Sequence, residues 1–360
     1  MPGTTLFSIG EALIDMIPSR AGCAFGEVPS FSPRVGGAPA NVCGAFARLG
    51  GQSALLTQLG QDPFGHKIVQ ELAGHGVDVS HISFTDQANT ALAFVSLEED
   101  GNRTFSFYRK PSADLLYRPD QIRREWFREA FALHFCSVSL VDSPMRYAHL
   151  AAIAAAREAG AILSFDPNLR FPLWPDPEQL RQTVLQFLPR SHMVKISDEE
   201  LAFLTGCQDI QQALPRLFVG NIQLVVYTCG SNGAYAFTRS AQAFAPCTPV
   251  KAVDTTGAGD AFIGSFLWQM ARDGVDAAAL PKLRKTQLEQ YLAFSNRYCG
   301  ASVQQYGALS SYPTLAQMDA QACPAPLLQK YAPCQDLGSR QGAFCLRPTQ
   351  KLARADAQAS

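Results

Sequence analysis

The sequence predicts an α/β protein in which helices cover a mostly parallel sheet and a small extra β-sheet lies alongside. Three observations predict it. Short β-branched or aromatic runs alternate with longer helical patterns from residue 50 to residue 300, several of those patterns end on a glycine, and residues 90–109 break the rhythm with apolar–polar alternation. Repeated βα order supplies the crossovers that parallel strands require.

Taken in order, residues 6–9, 54–59, 132–138, 161–165, 192–196 and 222–228 read as strands, and 39–49, 63–74, 144–159, 177–188 and 198–204 as helices. Leu49-Gly50, Ala73-Gly74, Ala159-Gly160 and Thr205-Gly206 fit helix C-termini, where glycine takes the left-handed turn at low cost. Residues 90–99 and 103–109 flank Asp100-Gly101, a dipeptide suited to a hairpin, and residues 12–35 also read as extended. Together they predict a small sheet that is either a lid over a pocket or a decoration of the sheet edge. The basic cluster Arg118, Arg123, Arg124 and Arg128 is interleaved with Asp120, Glu125 and Glu129 and reads as the solvated face of a helix. From Gln321 onward prolines, three cysteines and a polar end replace periodicity, so residues 314–360 are expected to form an extension beyond a main domain at 1–313.

Composition excludes several function classes. The 360 residues carry 30 basic and 31 acidic side chains, which leaves no overall field to attract nucleic acid or an anionic membrane. No run of about 18 uncharged apolar residues exists, and Glu11 and Asp15 interrupt the first hydrophobic segment, so neither a membrane span nor a secretory leader is expected. Ten cysteines are scattered without C-x-x-C pairs, which reads as reduced thiols in a cytoplasmic protein, and the six histidines form no zinc-ligand spacing. There is no G-x-x-x-x-G-K-[ST] loop, no G-x-G-x-x-G after the first strand and no G-x-S-x-G, which disfavours P-loop, dinucleotide and serine-hydrolase readings.

Two strings carry chemistry. Asp254-Thr255-Thr256-Gly257-Ala258-Gly259-Asp260 runs into the apolar helical pattern Phe262, Phe266, Leu267, Met270. Gly257 and Gly259 let backbone approach an anion, and the bare amides of a first helical turn offer donors to it. Asp260 in that turn could accept a proton from an attacking alcohol, with the helix dipole lowering and desolvation raising its pKa. A tight glycine turn with a capping aspartate accounts for the same string. Gly36-Gly37-Ala38-Pro39-Ala40-Asn41 follows an extended segment and opens a helix, where backbone and Asn41 could bond ligand hydroxyls or simply cap the turn.

In this order and at this separation the two strings resemble the signature regions of the ribokinase-like (PfkB) carbohydrate kinases, over roughly residues 5–313. The strings Gly10-Glu11-Ala12-Leu13-Ile14-Asp15, Asp166-Pro167-Asn168-Leu169-Arg170 and Val194-Lys195-Ile196-Ser197-Asp198-Glu199-Glu200-Leu201 are similar in particular to bacterial fructokinases. The resemblance implies a Rossmann-like three-layer sandwich with a β lid at about 12–35 and 88–111, and phosphorylation of a sugar hydroxyl by ATP, with D-fructose as acceptor.

Carried over by position, the resemblance makes Asp260 the catalytic base, Gly257, Ala258 and Gly259 the anion hole, and Arg170 a charge near the transferred phosphate. Asp15, Gly36, Gly37, Asn41 and the lid's Arg109 fall to the sugar. Lys195, Glu200, Thr228, Gly230, Gly233 and Asn296 fall to the nucleotide with its Mg²⁺, and Asp254, Thr256, Gly307 and Ser311 to a K⁺ ion. Any self-assembly would be a homodimer through the lid. Ser197 departs from the family's N-x-x-E motif, and Cys43 stands where Ser, Thr or Ala is usual. Aminoimidazole riboside kinases and 2-keto-3-deoxygluconate kinases share both signatures and are the alternatives, Phe107 and Tyr108 of the lid bearing on the choice. A silent regulatory relative is disfavoured by the intact Gly257-Ala258-Gly259-Asp260.

Overall fold

The computed structural model describes residues 3–20, 22–97 and 103–322. The chain order is β1 (Thr5–Ile9), β2 (Leu13–Pro18), β3 (Phe31–Gly36), α1 (Ala38–Arg48), β4 (Gln52–Gly60), α2 (Pro63–Gly74), β5 (Val77–Asp78), β6 (Ile82–Thr85), β7 (Leu92–Leu97), β8 (Arg103–Tyr108) and β9 (Ala130–Cys136). There follow α3 (Pro144–Glu158), β10 (Ile162–Asp166), α4 (Pro177–Phe187), β11 (Met193–Ser197), α5 (Asp198–Thr205), α6 (Ile210–Leu217), β12 (Leu224–Thr228), β13 (Ala234–Phe237), β14 (Gln242–Ala245), α7 (Ala258–Arg272), α8 (Lys285–Ser302) and α9 (Leu315–Ala322).

The main sheet runs β14-β13-β12-β11-β10-β9-β1-β4-β5, with β6 also on β4, and is parallel from β12 to β5. Its strands are apolar on both faces because both faces are covered. In β12, Leu224 and Val226 join one core with Phe46, Ile263, Phe266 and Leu292 from α1, α7 and α8; Val225 and Tyr227 join the other with Ile153, Leu180 and Val184 from α3 and α4. This is the predicted three-layer sandwich. The hairpin β13–β14, which closes one edge in antiparallel pairing, was not anticipated.

The second sheet has the order β3-β2-β7-β8. It is not purely antiparallel: β2 and β7 pair in parallel, since each enters from the main sheet in the same direction, while β3 and β8 return. The Asp100-Gly101 turn lies outside the described residues. The 118–129 segment differs from the expected helix face. It folds as two short 3₁₀ turns, Pro119–Gln121 and Arg124–Glu129, in which Arg118 pairs with Asp120 and Arg124 with Glu158 on the surface. At the other end Met318 of α9 is buried in the main core, so the packed unit reaches past residue 313.

Parallel pairing aligns the strand ends that matter. Cys136 sits opposite Asp166 and Ser197 opposite Thr228, so the carboxyl ends of β9 to β12 form one rim. Open parallel sheets bind ligands along such a rim.

Candidate active site

Asp260 lies in the first turn of α7, buried, and its Oδ2 accepts a hydrogen bond from Asn41 Nδ2 at 2.9 Å. Two helices must approach closely for this contact. A Cβ on Gly264 would stand 2.7 Å from Ala45 Cβ and 2.9 Å from the Val42 carbonyl, so α1 and α7 cross with almost no side chain between them. Asn41 Oδ1 is buried and has no hydrogen-bond partner among the described residues, an acceptor left for a ligand hydroxyl.

Burial pushes the Asp260 pKa from 3.8 up to about 6; the Asn41 donor opposes this, Asp166 adds to it, and Lys195 and Arg170 oppose it. Desolvation thus prevails over the charges that would keep the carboxylate acidic. The helix begins on Gly257, whose left-handed φ of 72° no other residue adopts freely. A Cβ there would lie 2.5 Å from both Ala308 Cβ and the Tyr312 hydroxyl, and that hydroxyl donates to the Gly257 carbonyl at 2.9 Å. The glycine turn is therefore clamped by the 308–312 segment.

Around this turn stand the charges. Lys195 Nζ, on β11, donates to Asp166 Oδ2 at 2.9 Å, and a Cβ on Gly259 would come within 3.2 Å of the same ammonium. Burial lowers the lysine pKa, but Asp166 and Glu200 together raise it above the ordinary value, so it remains a cation. Glu200 accepts the amides of Leu169 and Ser197, each at 2.9 Å, and burial followed by the Asp166 charge raises its pKa. At Ser197 it is the backbone amide, not the side chain, that bonds Glu200. Arg170 is exposed, with Nη1 donating to the Leu169 carbonyl.

The nucleotide candidates gather on the same rim. Thr228 ends β12, Gly230 has φ 51°, and Gly233 has φ 104° with a Cβ position 2.3 Å from the Ala245 carbonyl. Asn296 on α8 donates to Ala245 O at 2.8 Å and Pro246 O at 3.3 Å, so its amide nitrogen fixes the end of β14 instead of standing open for a base. One turn further along α8, the Cys299 thiol donates to the Ala258 carbonyl at 3.0 Å and ties this group to the glycine turn.

Asp254 Oδ1 accepts the Thr256 amide at 2.8 Å and Oδ2 the Gly307 amide at 2.9 Å, which joins the 254–256 and 302–311 segments. Ser311 spends its hydroxyl on the Ala308 carbonyl within its own turn. Among the described residues no cluster of three or more His, Cys, Asp or Glu could by itself hold a metal ion.

On the small sheet, Asp15, Ala93 and Phe107 form one cross-strand row, so their side chains share a face. A Cβ on Gly36 would fall 2.1 Å from Asp15 Oδ2, and one on Gly37 (φ 104°) 2.6 Å from the Glu11 carbonyl. These glycines make room for the carboxylate and for the entering strand. Arg109 does not join them: its Nε donates to Asp114 Oδ2 at 3.0 Å, Nη1 to the Val138 carbonyl at 2.9 Å and Nη2 to Ser139 Oγ at 2.7 Å. The expected sugar contact is replaced by a buried structural network, because a guanidinium buried this deeply has to be paired. A cavity of about 440 Å³ opens beside it between β8 and the 171–173 turn, with Phe105, Phe107, Lys110, Val141 and Pro172 in its wall. Sequence reasoning assigned no role to Glu11, Asp166, Ser139 or Tyr312. Asp166 and Glu11 stand within the strings that carry the resemblance; for Ser139 and Tyr312 no local signal exists.

Comparisons with known proteins agree with this fold. The family model described as "pfkB family carbohydrate kinase" matches residues 4–315. Fructokinase-1 of Zea mays is 42% identical over 313 residues, covering 86% of this chain and 95% of the relative. A fructokinase from Xylella fastidiosa with bound ATP superposes with a TM-score of 0.81 at 36% identity, covering 88% of this chain and 97% of that one. A fructokinase from Vibrio cholerae O395, in a form with fructose, ADP and calcium ion bound, gives 0.78 at 35% identity over 88% and 98%. With the family model spanning most of the chain and relatives of this likeness along almost their whole length, the chain belongs to the pfkB family of carbohydrate kinases.

Proposed function

We propose that the protein transfers the γ-phosphoryl group of ATP to D-fructose, giving fructose 6-phosphate, with Asp260 as general base. The observation that carries this reading is the buried Asp260 carboxylate, bonded to Asn41 at the amide-bearing start of α7 with its pKa pushed up to about 6. A base poised near neutral pH takes a proton from an alcohol far more readily than a surface aspartate would. The fructokinases among the relatives favour a ketohexose over the nucleoside and ketodeoxygluconate alternatives.

In the proposed mechanism Asp15, Gly36, Gly37 and Asn41 bind sugar hydroxyls, Asn41 Oδ1 accepting one of them. Closure of the small sheet as a lid expels water, and Asp260 removes the proton as the hydroxyl attacks in line. Negative charge on the γ-phosphate is met by the amides of Gly257 and Gly259 and by Lys195 and Arg170, while the Ala258 amide, expected to join them, donates to the Thr255 carbonyl at 3.2 Å. The nucleotide lies along Thr228, Gly230, Gly233 and the α8 wall near Asn296.

Glu200 keeps one lone pair on each amide-bound oxygen, which fits a water-mediated hold on Mg²⁺ carried by ATP, and not a direct protein cage. When bound, Mg²⁺ neutralises charge on the phosphates. The oxygen-rich junction of Asp254, Thr256, Gly307 and Ser311 fits K⁺ in the same sense, supplying a fixed charge beside the glycine turn. Among the described residues no helix is long and apolar enough to cross a membrane. The cytoplasmic location we infer rests on the cysteines, scattered without C-x-x-C pairs. Phe25, Phe31, Phe94 and Tyr108 cluster on one face of the small sheet at ring separations of 5.2–5.7 Å, with Phe25 45% and Tyr108 62% exposed, and a homodimer through the lid would cover them.

The deciding experiment is an ATP-consumption assay with fructose, ribose, aminoimidazole riboside, ketodeoxygluconate and adenosine, each with and without K⁺. Preference for fructose is expected. A clear preference for a nucleoside would overturn the acceptor assignment.

A further inference from the structure

The small sheet is joined to the main domain by four chain crossings, near residues 10–12, 37, 86–91 and 109–112. A chain of buried polar groups ties them together. Arg109, paired with Asp114 at the last crossing, donates to Ser139 Oγ at 2.7 Å; Ser139 Oγ donates to Glu11 Oε2 at 2.6 Å at the first; and Glu11 Oε1 accepts the Ala38 amide at 3.2 Å at the second. The third and fourth are joined by the Ala113 amide on the Asn89 carbonyl, 2.9 Å. All four side chains are almost wholly buried.

The far end of this chain is the part that matters for chemistry. Ala38 is the first residue of α1, and Asn41, one turn on, holds Asp260. Gly10 and Gly37 bring the backbone so close here that a Cβ would meet Pro39 Cγ at 2.6 Å and the Glu11 carbonyl at 2.6 Å, so the first turn of α1 cannot shift without moving the root of the small sheet. A structural ion pair alone would have no reason to end on the amide of that turn. All four groups are also polar or charged where apolar residues of similar volume would pack at least as well.

We propose that Glu11, Ser139 and Arg109 are positioning residues: through Asp114–Arg109–Ser139–Glu11–Ala38 they lock the root of the lid to the first turn of α1, so that lid posture sets how Asn41 meets Asp260. The idea rests on the reading of Asp260 as base. Asp260 is also faced by Asp166 from β10, Lys195 from β11 and Arg170 beyond β10, and its charge is felt by Cys136, Cys299 and Tyr312; none of these lies on the relay.

The test uses the full chain and two near-isosteric variants, Ser139→Ala and Glu11→Gln, with fructose and ATP. Both should lower kcat about tenfold with KM for ATP unchanged. Both should also move the acid limb of kcat/KM upward by about half a pH unit, because the Asn41 donor that opposes the raised pKa is no longer held in place. Ser191→Ala removes a buried hydroxyl bonded to the Leu188 carbonyl far from the relay and serves as the destabilised control; its limb should stay where the unaltered protein's lies. If the relay variants lose activity only in proportion to the unfolded fraction and keep the original limb, the proposal is overturned. Asp260→Asn is measured alongside. Full turnover there sinks the base assignment itself, whereas loss of turnover there with unchanged Ser139→Ala and Glu11→Gln sinks only the positioning role.

Discussion

Replacing Asp260 by Asn should make the enzyme nearly inactive and more stable at once. Ionising this carboxylate at neutral pH, in surroundings that push its pKa from 3.8 up to about 6, costs the folded state roughly 3 kcal/mol. Asn occupies the same volume, carries no charge and can still bond the Asn41 amide, so most of that cost disappears. For a packed unit of this size the gain corresponds to a rise of about 4–5 °C in the melting midpoint. The sign follows from the direction of the shift: a carboxyl whose folded pKa lies above its unfolded one stabilises when protonated, and that contribution fades as pH rises from about 4 to about 6. The gap between variant and parent should therefore be small at pH 4, open through pH 6 and stay constant above it. Turnover with fructose and ATP should fall by about two to four orders of magnitude, the range of a lost general base. Calorimetric melts at pH 4, 5, 6 and 7.5 and a coupled ADP assay read both effects. A variant that is less stable at pH 7.5 would mean that Asp260 serves the fold as a helix cap, and a variant that keeps its turnover would mean that the proton goes elsewhere.

The parent's kcat/KM should lose about tenfold per pH unit below a limb near pH 6, and Asn41→Ala, which removes the opposing donor, should shift that limb upward; a pH–rate series with fructose checks it. Gly257→Ala should destabilise by about 2–4 kcal/mol in urea titrations, since it adds a left-handed strain to a 2.5 Å approach on Ala308 and Tyr312, whereas Gly50→Ala, at φ 89° with open space around its Cβ, should cost about 1 kcal/mol. Tyr312→Phe should cost about 1 kcal/mol in the same titration by freeing the Gly257 carbonyl, and should lower kcat several-fold with little change in KM for fructose.

What was legible in the sequence were features with a local period or a local steric rule. The central strands read clearly because both faces are buried, and Gly257 and Gly37 announced backbone conformations that other residues resist. Hidden features depend on distant partners. The β13–β14 hairpin has four-residue strands rich in alanine, too short and too small to stand out from a loop. The parallel pairing of β2 with β7 follows from where both strands enter, which no window of residues contains. Arg109 and Asn296 were read from position alone, and their actual partners, Asp114 and Ser139 for the first and the Ala245 and Pro246 carbonyls for the second, come from the chain's tertiary course.

The hydrogen-bond partners of four buried carboxylates bear on the proposal that Asp260, and not a neighbour, is the base. Asp166 has both oxygens engaged, Oδ2 by the Lys195 ammonium at 2.9 Å and Oδ1 by the Asn168 amide at 3.2 Å. Glu200 and Asp254 each hold two backbone amides, one on each carboxyl oxygen. Asp260 has a neutral side-chain amide on one oxygen, burial that disfavours its charge, and a like charge at Asp166 that adds to the effect. A carboxyl not committed on both oxygens to fixed donors is the one placed to receive a substrate proton. On that logic Asp166→Asn should fail as an enzyme for a different reason from Asp260→Asn: it leaves the buried Lys195 without its counter-ion, so the loss should come with a lower melting midpoint where the Asp260 variant gains one.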